Sequence, residues 1–116
     1  MAYSGSCHCG AVRFTVEGDL PAKAMSCNCS HCRRKGFLLT FVPRERFRLD
    51  AGADHLTEYR FNRHRIAHQF CDICGCQAFG QGEGPGGTAM AAINLRCVPA
   101  ADPDALEIEK IDGASF

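Results

Sequence analysis

The chain has 116 residues, 46% of them apolar, and its 13 basic and 13 acidic side chains cancel at pH 7. That length fits one domain over residues 1–116 with a thin core, and the balanced charge argues against the basic field of a nucleic-acid binder. No apolar run is long enough for a membrane span, and residues 1–6 lack the basic-then-apolar order of a signal peptide, so the cytosol is the expected compartment.

The first strand is predicted over residues 11–17. Val12, Phe14 and Val16 alternate there with Arg13, Thr15 and Glu17, the two-residue period of a half-buried strand. Gly18-Asp19 turns the chain, and Pro21 delays the next element. One helical turn is expected near residues 30–35, just after a cysteine pair. Residues 37–42 form an apolar, strand-like run ended by Pro43. Residues 56–61 alternate about Tyr59, and residues 66–70 lead into a cysteine knuckle. Residues 82–87 hold four glycines and a proline and are expected as loop. Residues 88–95 resume as a buried strand. Residues 106–111 read as a short edge strand on Leu106 and Ile108, with Ile111 out of phase. No segment sustains a 3.6-residue apolar period. Many short strands between turn signals predict a mainly β domain built around metal.

The metal is read from nine cysteines. Thiols stay reduced in the cytosol, and an odd count suits a disulfide framework poorly, so zinc is the expected use. Cys71, Cys74 and Gly75 form a Cys-x-x-Cys-Gly turn, in which two sulfurs converge while a left-handed glycine lets backbone N–H groups face them. Cys7, Cys9 and Gly10 are a tighter version. Joined, the two pairs make a four-thiolate structural site tying the start of the chain to its middle. Spacing also permits Cys29 and Cys32 to pair with Cys71 and Cys74 as a ribbon, although 38 residues would then intervene where about 15–20 are usual.

Cys27, Cys29 and Cys32 put three thiolates within six residues with no fourth cysteine beside them. Three protein ligands leave a zinc position open to water or substrate, the arrangement of catalytic sites, and a substrate thiol suits that position. His31, Cys76 or Cys97 would make the site purely structural by closing it. His31 and His8 read better as donors behind the ligands, His55, His64 and His68 as surface or strand histidines, and Cys76 and Cys97 as small buried residues. Arg33, Arg34 and Lys35 follow the cluster. They are either a solvated charge run or, for Arg33 and Arg34, the partners of an anionic substrate's carboxylates.

Three ordered segments carry a resemblance over essentially the whole chain: residues 5–12 around Cys7-His8-Cys9-Gly10, residues 27–34 around Cys27-Asn28-Cys29-Ser30-His31-Cys32, and residues 70–75 ending Cys74-Gly75. They resemble the glutathione-dependent formaldehyde-activating enzyme family, which also includes centromere protein V. Ile93-Asn94-Leu95-Arg96-Cys97 and Ile111-Asp112-Gly113 extend the similarity. The resemblance implies a β-tent of antiparallel strands closed by zinc. It assigns Cys7, Cys9, Cys71 and Cys74 to a structural zinc and Cys27, Cys29 and Cys32 to a catalytic one. It implies a carbon–sulfur lyase-type reaction in which glutathione adds to formaldehyde to give S-hydroxymethylglutathione. Members with that activity are longer than this chain.

The competing expectation is a non-catalytic zinc-stabilised module for a protein or nucleic-acid partner, with Arg60, Arg63 and Arg65 as its contacts. Zero net charge and few aromatics for base stacking weigh against nucleic acid.

Overall fold

Alternation sets the first hairpin. Tyr3 and Gly5 of β1 (Ala2–Ser6) share a buried face with Phe14 and Val16 of β2 (Arg13–Glu17), and the register places Tyr3 opposite Val16 and Gly5 opposite Phe14. The computed structural model describes residues 1–60 and 66–115. Strand β5 (Phe47–Ala51) adds to the other edge of β2, completing an antiparallel three-stranded sheet.

The second sheet is larger. It contains β3 (Lys23–Cys27), β4 (Leu39–Pro43), β6 (Leu56–Tyr59), β7 (Ala67–Cys71), β8 (Phe79–Glu83), β9 (Ala89–Asn94) and β10 (Glu107–Ile111), in the order β10-β3-β4-β9-β8-β7-β6. The chain is therefore mainly β, and every neighbouring pair is antiparallel except β10 with β3. The sheets are antiparallel as expected, with β10 beside β3 as the one parallel pair among the described residues. Parallel neighbours need a long crossover, and everything from β4 to β9 supplies it.

The two sheets share one core. Phe14 of the small sheet meets Phe79 of the large one edge-on at 6.2 Å, and Phe47 lies 4.7 Å from Phe79. Val12, Val16, Ile93, Leu95 and Val98 are fully buried around them. Each such side chain contributes about 1.5–3 kcal/mol relative to exposure.

Several boundaries differ from expectation. Strand β2 starts at Arg13 because Val12 is still turning: its carbonyl accepts from the Cys7 amide and its amide donates to Cys7 Sγ. The loop expected over residues 82–87 begins later, since Gly82 and Glu83 pair with Met90 and Ala89 before the turn at Pro85–Gly87. Phe61 of the expected strand 56–61, with Arg63, His64 and Arg65, lies outside the described residues. Among the described residues no helix is long and apolar enough to cross a membrane.

The outer face of the large sheet prepares the site. Register lines up Phe41, Ala92, Gly80, His68 and Tyr59 in one row across five strands. Ala92 and Gly80 carry at most a methyl group, so the row sinks between Phe41 and His68.

Candidate metal centres

The first cluster bridges the sheets. Cys7 and Cys9 leave β1 of the small sheet, while Cys71 ends β7 of the large one and Cys74 follows in the knuckle. The four sulfurs lie within 4.8 Å of one another. Cys7 Sγ is 3.6 Å from Cys9 Sγ, which is 3.7 Å from Cys71 Sγ. Sulfurs about 2.3 Å from one zinc stand about 3.8 Å apart at the corners of a tetrahedron, so the donor set fits that ion. Gly10 and Gly75 adopt φ of 82° and 77°, the left-handed turn the knuckles require. Backbone N–H groups face the sulfurs as expected: Val12 donates to Cys7 and Ile73 to Cys71. The amides of Cys9 and Cys76 pull the Cys74 thiol down to about 6. Cys9 is pushed up to about 12. The Ala11 amide favours its thiolate, but desolvation and the sulfurs of Cys7, Cys71 and Cys74 outweigh that pull. Thiolates crowded this way repel one another until a cation binds them.

The second cluster comes from one continuous segment. Cys27 ends β3, Cys29 caps helix α1 (Ser30–Lys35), and Cys32 sits in its first turn. Their three sulfurs also lie within 4.8 Å of one another. The cap orders the cluster: Cys29 Sγ accepts from the Cys32 amide at 3.3 Å, and Cys27 Sγ accepts from the Cys29 amide at 3.5 Å. Gly36, at φ 70°, ends the helix, and Arg33, Arg34 and Lys35 in the last turn suit its negative end. Burial resists ionisation of Cys29, but the amides of Cys32 and His31 outweigh it and lower its pKa. Cys32 is pushed well up by burial and by Cys29 beside it.

Among the described residues no fourth His, Cys, Asp or Glu atom joins this group. The His31 ring turns toward His68, 4.1 Å between centroids, and toward Tyr59 and Phe37. Cys76 and Cys97 pair with each other, Sγ to Sγ 3.5 Å. They are half-buried rather than buried. Cys97 is pushed up to about 12 by burial and by Cys76, with Cys7 and Cys74 of the first cluster adding to the shift. His8 is exposed, and His55 Nδ1 meets Asp72 Oδ1 at 3.2 Å beside the knuckle.

Two hollows flank the second cluster, and Cys27 and Cys32 line both. One, about 340 Å³, is walled by Met25, Phe37, Leu39, Phe41, Ile66 and Ile111, over the sunken row of the large sheet. The other, about 450 Å³, is polar and holds Arg33, Lys110, Asn28 and Asp112. The two arginines are thus separated. Arg34 donates to the Ser30 carbonyl at 2.7 Å and lines a different depression with His31 and Tyr59. Arg60 pairs with Glu58 at 3.4 Å.

Residues beyond the cysteines also shape the site. Asn28 donates to Asp112 Oδ1 and accepts from the Ala114 amide, both at 2.9 Å, and its own amide donates to the Ile111 carbonyl at 3.1 Å. This clamp holds Gly113 so close that a Cβ there would overlap Cys27 Sγ. His68, expected as a surface or strand histidine, is on a strand but buried. Burial, helped by the charges of His31 and Lys35, lowers its pKa to about 4. Gln77 Nε2 lies 3.3 Å from His68 Nδ1. An asparagine between two cysteines of the cluster was the one sequence signal for the clamp. Nothing local marks Gln77 or the hollow.

Known proteins agree with this arrangement. The family model described as glutathione-dependent formaldehyde-activating enzyme matches residues 2–108. A curated protein of Halomonas elongata, whose name assigns it that activity provisionally, is 36% identical over 82 residues. The match covers 64% of this chain and 52% of the relative, so the chain spans about half the relative's length. A crystal structure of a Rhodobacter sphaeroides protein superposes with a TM-score of 0.77 at 29% identity, covering 91% of this chain and 99% of that one. With most of its length matched by the family model and both cysteine clusters assembled, the chain belongs to the glutathione-dependent formaldehyde-activating enzyme family.

Proposed function

We propose that the chain is a zinc-dependent thiol–aldehyde enzyme of carbon–sulfur lyase type, joining a small anionic thiol such as glutathione to an aldehyde such as formaldehyde. The observation that carries this reading is the placement of Cys27 and Cys32, with Cys29 beside them, in the wall between an apolar and a polar hollow. Cys7, Cys9, Cys71 and Cys74 would hold a structural zinc, and Cys27, Cys29 and Cys32 would hold a second zinc that binds substrate. When bound there, zinc supplies a site that favours the substrate thiolate over the thiol.

The chain's own residues bind and position. Arg33, joined by Lys110 across the polar hollow, meets the carboxylates of the thiol. Arg34, on the far side of the helix turn, acts at most from outside. The apolar hollow keeps water from the carbon that joins sulfur. His68, with its pKa near 4, is neutral at pH 7. The Gln77 amide nitrogen faces its Nδ1 at 3.3 Å. The ring is therefore a neutral polar group beside the hollow and not a cationic acid.

Cobalt replacement tests the reading. Glutathione added to the cobalt-loaded protein should strengthen the sulfur-to-cobalt charge-transfer bands as a fourth sulfur enters, and Cys32→Ser should remove the response. A spectrum indifferent to every small thiol tried would refute it.

A further inference from the structure

We propose that the aldehyde partner of this site carries an apolar group, alkyl or aryl, and that the hollow beside Cys27 and Cys32 is its pocket. This rests on the thiol–aldehyde reading above. Formaldehyde brings only two hydrogens to its carbon and would leave most of about 340 Å³ unfilled. Pockets of about 300 Å³ and above are of a size that holds organic ligands.

The pocket's construction supports the assignment. Its walls come from Met25, Phe37, Leu39, Phe41, Ile66 and Ile111, and among the described residues no Lys, Arg, Asp or Glu lines it. Its floor is hollow because Ala92 and Gly80 occupy the row between Phe41 and His68. Among the described residues the carboxylates of glutathione find no cationic partner there, whereas Arg33 and Lys110 line the other hollow. The sulfurs stand between the two. The thiol's charged body thus belongs on one side and the substituent of the carbon it attacks on the other. Gln77 supplies a polar point among the apolar walls. The residue is 7% exposed and lines the pocket beside His68. The chemistry balances without a further reagent: the thiolate sulfur bonds to the carbonyl carbon, the C=O π pair moves to oxygen, and the proton lost by the thiol ends on that oxygen. A second cavity of about 340 Å³ shares Phe41, Ile66 and Ala92 and continues toward Met90, so a longer chain also has room.

Two stable thioethers read this out. S-Methylglutathione and S-hexylglutathione, titrated calorimetrically into the zinc-loaded protein, differ only in the group placed on the carbon side of sulfur. The hexyl compound should bind about tenfold tighter or more, given the apolar area it buries. Ala92→Leu, which fills the sunken row, should bring the two affinities to within about twofold of each other. Should that variant fail to fold, Phe41→Ser, at a half-exposed wall residue, should reduce the hexyl preference instead. Equal binding of both compounds to the unaltered protein overturns the apolar-group assignment and leaves the thiol-binding reading standing. A hexyl preference undiminished in both variants overturns the pocket. If neither compound binds and the cobalt spectrum ignores glutathione, both readings fall together.

Discussion

The two cysteine clusters present the same atoms in opposite settings. The four-cysteine cluster takes two sulfurs from each sheet, and Cys7 and Cys71 are part of the common core at 2% and 1% exposure. An ion bound there would add a tie between the sheets beside their shared core. The three-cysteine cluster draws all its sulfurs from residues 27–32, on the rim of the large sheet between two hollows. An ion bound there would fix one turn and the wall between the hollows. A metal site that joins distant elements is coupled to folding, whereas one drawn from a single segment is free to exchange a ligand.

The comparison breaks most visibly by substitution. Cys7→Ser or Cys74→Ser should cost more than about 3 kcal/mol of stability, because binding energy at a site that joins elements is folding energy. Cys29→Ser should leave a folded protein. Serine is among the best helix caps, so it keeps the bond from the Cys32 amide while surrendering the sulfur. Thermal melts of the three variants decide the matter. Equal unfolding would make the second cluster structural as well.

A gentler probe is graded chelation followed by elemental analysis. The fully loaded protein should carry two zinc ions, lose the one at Cys27, Cys29 and Cys32 first, and retain the other. Gly113→Ala should lower retention of the weaker ion by about tenfold, the usual reach of a disturbed neighbour of a ligand, since the new Cβ collides with Cys27 Sγ. Unchanged retention would show that the Asn28 clamp does not govern the site.

The smallest effect is a pH dependence. His68 titrates near 4 when folded against 6.5 when unfolded, so between those values the unfolded chain binds the extra proton. Stability from this residue is complete above about 6.5 and declines as the pH falls toward 4. From pH 7 to pH 5 the loss is at most about 2 kcal/mol. Denaturant melts of the His68→Gln variant, compared with the unaltered protein, should show a flatter acid limb. Parallel limbs would remove His68 from the account.

Much of this was legible from local pattern. The alternation at Val12, Phe14 and Val16 fixes strand β2 and its buried face, and Cys29 before a run of helix formers with Gly36 behind it marks α1. The knuckle glycines announce their own conformation. Strands β1, β3, β5 and β8 escaped: Tyr3 and Gly5 in β1, Ala24 in β3 and Phe47 in β5 leave no apolar alternation to read, and Gly80 and Gly82 in β8 read as turn. The parallel entry of β10 and the hollow under Phe41 were invisible for another reason. Both arise where residues far apart in the chain come into register, and no window of sequence contains Ala92, Gly80 and His68 together.

The long-range closures also set a timetable. Cys9 meets Cys71 across 62 positions, and Asn28 meets Asp112 across 84. Folds dominated by such pairings form in milliseconds to seconds rather than microseconds, because distant ends must find each other before any contact rewards the search. During that interval the nine thiols are exposed and unpaired with metal. An oxidant or a wrongly matched ion that reaches them first would trap a misassembled chain, so yield on refolding should depend on reductant and on when zinc is supplied, even if the finished protein tolerates both.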